Sequence, residues 1–185
     1  DIAKKIRDKH TEYLLANSDT RSCLYNLSNV NFQDMNGDSE LMIISKREQN
    51  SIFVEYLCDI YGHNIAINLQ NNSGNTALML AARHCVNTKP AQYLCNTFKD
   101  KIVIDKRDNA GNTALMHAAQ NRKNPDITKY LYDTFKGTIN IAAKDRKGRN
   151  ALILAAQCGN DTALATLCEI ICTTNSFIPN NKTEN

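Results

Sequence analysis

Hydrophobic and polar residues follow one long period along this chain. Four apolar stretches come after glycines at positions 37, 74, 111 and 148, which are 37 residues apart. Residues 74–82 return almost unchanged as residues 111–119, and looser versions begin at Gly37 and Gly148. A fixed period of this length predicts an array of stacked structural units that share one continuous core.

Each unit carries the signals of two helices. A first cap series consists of Ser39, Thr76, Thr113 and Asn150, two residues after each glycine. Such side chains accept hydrogen bonds from the free amides of a first helical turn. A second cap series consists of Asn50, Asn87, Asn124 and Asp161. Alternating apolar residues such as Ile102 and Ile104 then predict a short extended finger. The predicted fold is all-α, with units of turn, helix, loop, helix and finger.

The period also predicts the domain organisation. Residues 1–30 are expected to form an N-terminal helical capping unit, which covers the apolar side of the first repeat. About four repeats fill residues 31–172, approximately at 34–66, 71–103, 108–140 and 145–172. Residues 173–185 are polar and are expected to form a disordered tail.

The last predicted helix is apolar nearly all round. Its apolar residues are Ala163, Leu164, Leu167, Cys168, Ile170, Ile171 and Cys172. A terminal repeat needs a polar outer face for solubility. We therefore expect the array to continue, to dock a further domain, or to self-associate at this end.

The repeated phrases resemble ankyrin repeats. The family phrase is Gly-x-Thr-Pro-Leu-His-x-Ala-Ala, in a repeat of about 33 residues. Residues 74–82 match it at the Gly, Thr, Leu and both Ala positions, but Ala77 replaces the Pro and Met79 replaces the His. The Thr–His hydrogen bond of the family is therefore absent, and the longer unit predicts longer second helices or longer fingers.

Composition narrows the class of protein further. The chain has 185 residues, a formal net charge of +3 and 42% hydrophobic residues. No apolar run is long enough for a membrane span, and no concentrated basic stripe indicates nucleic-acid binding. Seven cysteines, an odd number, favour reduced thiols and a cytoplasmic location over a disulfide framework. The 24 asparagines and the start without Met fit a piece of a host-directed effector from an intracellular microbe or virus, acting in the host cytosol.

The resemblance implies a protein–protein interaction scaffold without a cofactor, a metal or a catalytic centre. Its contact surface would be the face formed by finger tips and first helices, here called the concave stripe. By position in the repeat, the stripe contains Met35, Asn36, Asp38, Lys46, Arg47, Asn72, Ser73, Asn75, Arg83, His84, Asn109, Asn112, Gln120, Asn121, Arg146, Lys147, Arg149 and Gln157. Its ends are basic and its centre is polar, which favours a partner segment of acidic or mixed polarity.

Catalytic and metal-binding alternatives rest on single features. His84 and Cys85 are neighbours on a predicted helix and point about 100° apart, so they do not face each other. A Cys–His pair that meets only in space stays open. Cys168 and Cys172 share a helical face, but no further Cys or His series completes a metal site. The competing function is a substrate-recruiting arm of a multidomain enzyme whose catalytic domain lies outside this chain.

Overall fold

The computed structural model describes residues 29–47 and 51–175, which form a row of helix pairs. The first helices of the pairs are α1 (Glu40–Ser45), α3 (Ala77–His84), α5 (Ala114–Gln120) and α7 (Ala151–Cys158). The second helices are α2 (Ser51–Tyr61), α4 (Lys89–Phe98), α6 (Asp126–Thr134) and α8 (Asp161–Asn175). The capping unit predicted for residues 1–30 lies almost wholly outside the described residues.

The helices pack in two layers with the core between them. In the first layer α1 packs on α3, α3 on α5 and α5 on α7; in the second, α2 packs on α4 and α6 on α8. Leu57, Leu94 and Leu131 occupy the same place in α2, α4 and α6 and are at most 1% exposed. Burial of one such side chain contributes about 1.5–3 kcal/mol. The 37-residue period thus places equivalent apolar side chains in one continuous core.

The first helices begin where the sequence predicts. Ser39, Thr76, Thr113 and Asn150 have extended backbone, and each accepts a hydrogen bond from the amide three residues later. In the family the residue at this third position is His, whereas here Met79 supplies its amide at 3.3 Å and its sulfur accepts from the Thr76 amide at 3.4 Å. The cap therefore forms without the Thr–His contact.

The glycines of the period allow adjacent finger turns to approach closely. Gly37, Gly74 and Gly111 have φ of 75°, 79° and 87°, a left-handed conformation. A Cβ at Gly74 would lie 2.7 Å from the backbone N of Asn109 in the next unit. Gly148 has the same conformation, with φ of 76°, but a Cβ there would meet nothing within 4 Å. Glycine is required for conformation at all four positions and for stacking at the first three.

The second helices of the middle units are shorter than the connections that follow them. Helices α4 and α6 have 10 and 9 residues. The segments 99–113 and 135–150, which lead from each second helix to the next first helix, run as successive turns. That the extra length of the unit lies in longer second helices or longer fingers stays a prediction. Within the described ranges the only β pairing is the isolated bridge between Gln33 and Ser39.

Helix α8 extends further than predicted and is more amphipathic. It continues to Asn175, three residues beyond the predicted end at 172, and the Thr173 and Thr174 hydroxyls donate to the Ile170 carbonyl at 2.9 Å. Ala163, Leu167 and Ile170 are buried, whereas Cys168 and Cys172 are exposed. The rest of the predicted tail, residues 176–185, lies outside the described residues. No helix within 29–47 and 51–175 has the length and apolar character needed to span a bilayer.

Candidate functional site

An Asp or Asn three residues before each glycine holds the finger turn. In all four units its Oδ1 accepts from the amides two and four residues later; for Asp108 these are Ala110 at 2.9 Å and Asn112 at 2.7 Å. The other members are Asp34, Asn71 and Asp145. This position was not among the predicted residues, although its 37-residue spacing was a usable signal. The hydrogen bonds to its Oδ1 fix the backbone from which the exposed finger side chains project.

A second missed series links neighbouring fingers. The side chains of Gln33, Gln70 and Arg107 each donate to the carbonyl of their own glycine and to a carbonyl one unit further along the chain. The receiving carbonyls belong to Gln70, Arg107 and Lys144. Long side chains with terminal donors are needed here because they bridge two turns.

Several predicted contact residues are used to hold the array together. The Asn72 and Asn109 amide groups donate to the Met35 and Asn72 carbonyls at 2.9 and 2.8 Å. Their backbone amides donate to Asn36 and Ser73 in the preceding unit, both at 3.0 Å. These two predicted contact residues are exposed, and their side chains form hydrogen bonds between repeats.

Asn121 is buried and does not lie on the surface as predicted. It is 4% exposed, and its amide donates to the Ala82 and Cys85 carbonyls of the preceding unit, both at 2.9 Å. Asn160 repeats this contact with the Ala119 and Asn121 carbonyls at 3.1 Å. Its Oδ1 also accepts from the Ala163 amide at 3.2 Å, so Asn160 caps α8 in place of the predicted Asp161. Asn121 and Asn160 therefore link consecutive inter-helix loops by hydrogen bonds.

Ion pairs compensate one basic residue at each end of the concave stripe. Lys46 Nζ lies 2.6 Å from Asp38 Oδ2, and Asp38 is 3% exposed. At the other end Arg149 binds Asp145 through Nη2 at 2.7 Å and Nε at 2.8 Å, and Nη1 donates to Gln157 Oε1 at 3.2 Å. The charges of Lys46 and Arg149 are therefore compensated internally. The prediction that they make the ends basic needs correction.

The remaining predicted residues in the middle units are half-buried. Asn112 Nδ2 donates to Asp108 at 3.1 Å, and Gln120 Nε2 donates to the Met116 carbonyl at 3.2 Å. Asn75 and Arg47 are half-buried as well.

Seven predicted residues are exposed, and their side chains make no hydrogen bond or ion pair with other described residues. They are Met35, Asn36, Ser73, Arg83, His84, Arg146 and Lys147, here called the open stripe. Met35 is 96% exposed at the first finger tip. Positive charge within the open stripe lies at Arg83 in the centre and at Arg146 and Lys147 in the last finger.

The histidines and cysteines nearest the concave stripe do not form a Cys–His pair in the described residues. His117 is 1% exposed, and its Nε2 lies 3.0 Å from Asp108 Oδ2. Burial of Asp108 opposes ionisation, but hydrogen bonds from His117 and Asn112 outweigh it and hold the pKa of Asp108 below its usual range. Cys85 is buried while the adjacent His84 is exposed, so the two do not form a pair. Burial raises the pKa of the Cys58 and Cys95 thiols to about 12, which leaves them unreactive near neutral pH.

Comparison with known proteins adds a family match. A family model described as ankyrin repeats, in three copies, matches residues 9–108 and 99–177. No curated protein matches the chain.

Proposed function

Because the chain belongs to the ankyrin-repeat family, we propose that its open stripe is the surface that binds a partner protein. Ankyrin repeats generally act as protein–protein interaction modules. The observation that carries the proposal is the contrast along the concave stripe. Its buried members bind neighbouring turns, whereas Met35, Arg83 and Arg146 project from a fixed backbone with no internal hydrogen-bond or ion-pair partner in the described ranges. A backbone that is already fixed loses little conformational freedom on binding.

The charge of the open stripe indicates the kind of partner. Arg83, Arg146 and Lys147 are exposed and lack a carboxylate partner among the described residues, whereas Asp38, Asp108 and Asp145 are buried in pairs. The surface available to a partner is therefore positive. An acidic or mixed-polarity segment complements it, and such complementarity steers association and sets specificity.

Charge reversal tests the surface directly. We expect the double variant Arg83→Glu/Arg146→Glu to weaken capture of a partner from native lysate at least tenfold, because two attractive contacts become repulsive. A matched control, Lys89→Glu/Lys136→Glu, changes the same net charge on the side of the second helices. Arg149 is left unchanged because its ion pair holds a finger turn. Equal capture by both variants and wild type would rule out the open stripe.

A further inference from the structure

The centre of the open stripe combines a permanent cation with a titratable one. Arg83 and His84 are exposed in the last turn of α3. Helix α3 packs between α1 and α5, so basic groups from the two neighbouring units lie near this turn. They are Lys46 at the end of α1, His117 within α5 and Lys123 after α5.

The surroundings of His84 repel a proton. Partial burial of the ring and the nearby basic groups Arg83, His117, Lys46 and Lys123 lower the pKa of His84 from its ordinary value. Lys46 and His117 lie beside carboxylates: Asp38 lies 2.6 Å from Lys46, and Asp108 lies 3.0 Å from His117. Arg83 has no such carboxylate among the described residues. A bound carboxylate would offset the basic surroundings of His84 and favour its protonation.

We propose that Arg83 and His84 form the anchor of the open stripe for two neighbouring carboxylate side chains of one partner segment, because the two residues point about 100° apart on α3, and that a proton taken up by His84 strengthens the contact. This inference rests on the proposed function and assigns it one locus and one dependence on pH. The occupant is an acidic protein segment, since its carboxylates stay ionised between about pH 5.5 and pH 7.5, where a histidine titrates. Binding is therefore expected to strengthen as the pH falls through this window.

A labelled peptide provides the test. The probe is a fluorescein-labelled peptide alternating Glu and Gly, and fluorescence anisotropy gives its affinity at constant ionic strength. We expect wild-type protein to bind it about tenfold more tightly at about pH 5.5 than at about pH 7.5, because one proton is taken up with the ligand. His84→Gln is expected to bind weakly at both pH values, and His84→Arg tightly at both.

Two further variants separate the anchor from general charge effects. His63→Gln removes an exposed histidine from the 3-10 turn Gly62–Asn64, which follows α2, and is expected to keep the pH dependence. Arg83→Gln is expected to lower affinity at both pH values. Circular dichroism checks that each variant keeps the helical content of wild type.

The outcomes distinguish the anchor from the wider proposal. No measurable binding of the Glu peptide, or an affinity independent of pH in wild type, overturns the anchor. The same holds if His63→Gln abolishes the pH dependence as completely as His84→Gln. If the peptide binds but its affinity falls only in Arg146→Glu/Lys147→Glu, the anchor is wrong and the open stripe stands. If no substitution in the open stripe alters binding, the proposed surface fails as well.

Discussion

At the scale of single residues, one repeat position makes the same turn contacts in every unit and a second contact that differs between units. Asn71, Asp108 and Asp145 each hold their own finger turn through Oδ1. Their second polar atom contacts Asp38, His117 and Arg149 respectively, so each unit completes its turn differently. The repeated function fixes an Asp or Asn at this position, and the neighbour decides which of the two is present.

The glycine series separates conformational strain from steric contact. We expect Gly74→Ala to destabilise the array by about 2–4 kcal/mol, because the new Cβ meets the Asn109 backbone and the left-handed conformation is strained. Gly148→Ala has the same strain and open space, so we expect a loss of only about 1 kcal/mol. Urea unfolding followed by circular dichroism measures both. Equal losses would show that close approach contributes nothing at Gly74.

Glu40 provides a prediction about pH. It stands where the other units have a buried alanine, and burial raises its pKa from 4.5 to about 7. Its folded-state pKa lies above the unfolded value, so the free energy of unfolding falls as the pH rises from about 4.5 through about 7. Glu40→Ala should remove this loss and stabilise the protein at about pH 8 by on the order of 1–2 kcal/mol.

The measurement is thermal or urea unfolding of Glu40→Ala and wild type across this pH range. Glu55→Ala removes the same carboxyl group from another half-buried position, on α2, and serves as the control; its difference from wild type is expected not to grow with pH. A constant difference between Glu40→Ala and wild type at all pH values would contradict the assignment.

At the scale of elements, the starts of the first helices were predictable from the sequence, whereas the starts of the second helices and the bonds between loops were not. Thr76 and Thr113 each accept a hydrogen bond from an amide only three residues later, so local spacing reveals these caps. Asn121 was predicted at the surface from its position in the repeat, whereas its side chain donates to the carbonyls of Ala82 and Cys85, 39 and 36 residues away along the chain. Position in a repeat shows where a side chain starts, and only the packed neighbour shows whether its amide is occupied. Of the predicted contact residues, the seven of the open stripe are exposed and have side chains without a hydrogen-bond or ion-pair partner among the described residues.

The loop asparagines are expected to contribute measurably to coupling between units. Asn121→Ala would leave the Ala82 and Cys85 carbonyls without their donor and remove the acceptor of the Lys123 and Asn124 amides. We expect a loss of about 2–3 kcal/mol in urea unfolding, since buried polar groups become unpaired. Asn96→Ala, at an exposed position of α4, is the matched control and should change stability by less than about 0.5 kcal/mol. Similar losses in both variants would refute the role of the Asn121 amide.

At the scale of the whole molecule, each described unit covers an apolar position of the unit before it, and the last described unit leaves the equivalent position exposed. Met42, Met79 and Met116 are each 1% exposed, whereas Ile153 at the equivalent place in α7 is 41% exposed. The next unit covers the first three, and no described unit follows the fourth. The apolar end predicted from sequence is therefore carried by α7 as well as by α8.

Self-association through this end remains a prediction that light scattering tests. We expect the apparent mass to rise with protein concentration, because exposed apolar surface is removed from water on association. Ile153→Asp should lower that rise by at least half, while Val103→Asp, at a 56% exposed site before the third finger, should not. A constant monomer mass over the whole concentration range would contradict the prediction.

The open stripe as the binding surface is the central claim, and amide hydrogen exchange with and without a captured partner tests it most directly. Binding is predicted to slow exchange in the finger turns around Ser73 and Arg146 and in the last turn of α3, where exposed side chains lie on fixed backbone. The second helices α2, α4 and α6 are predicted to keep their exchange rates. Protection confined to those second helices, with unchanged fingers, would contradict the claim.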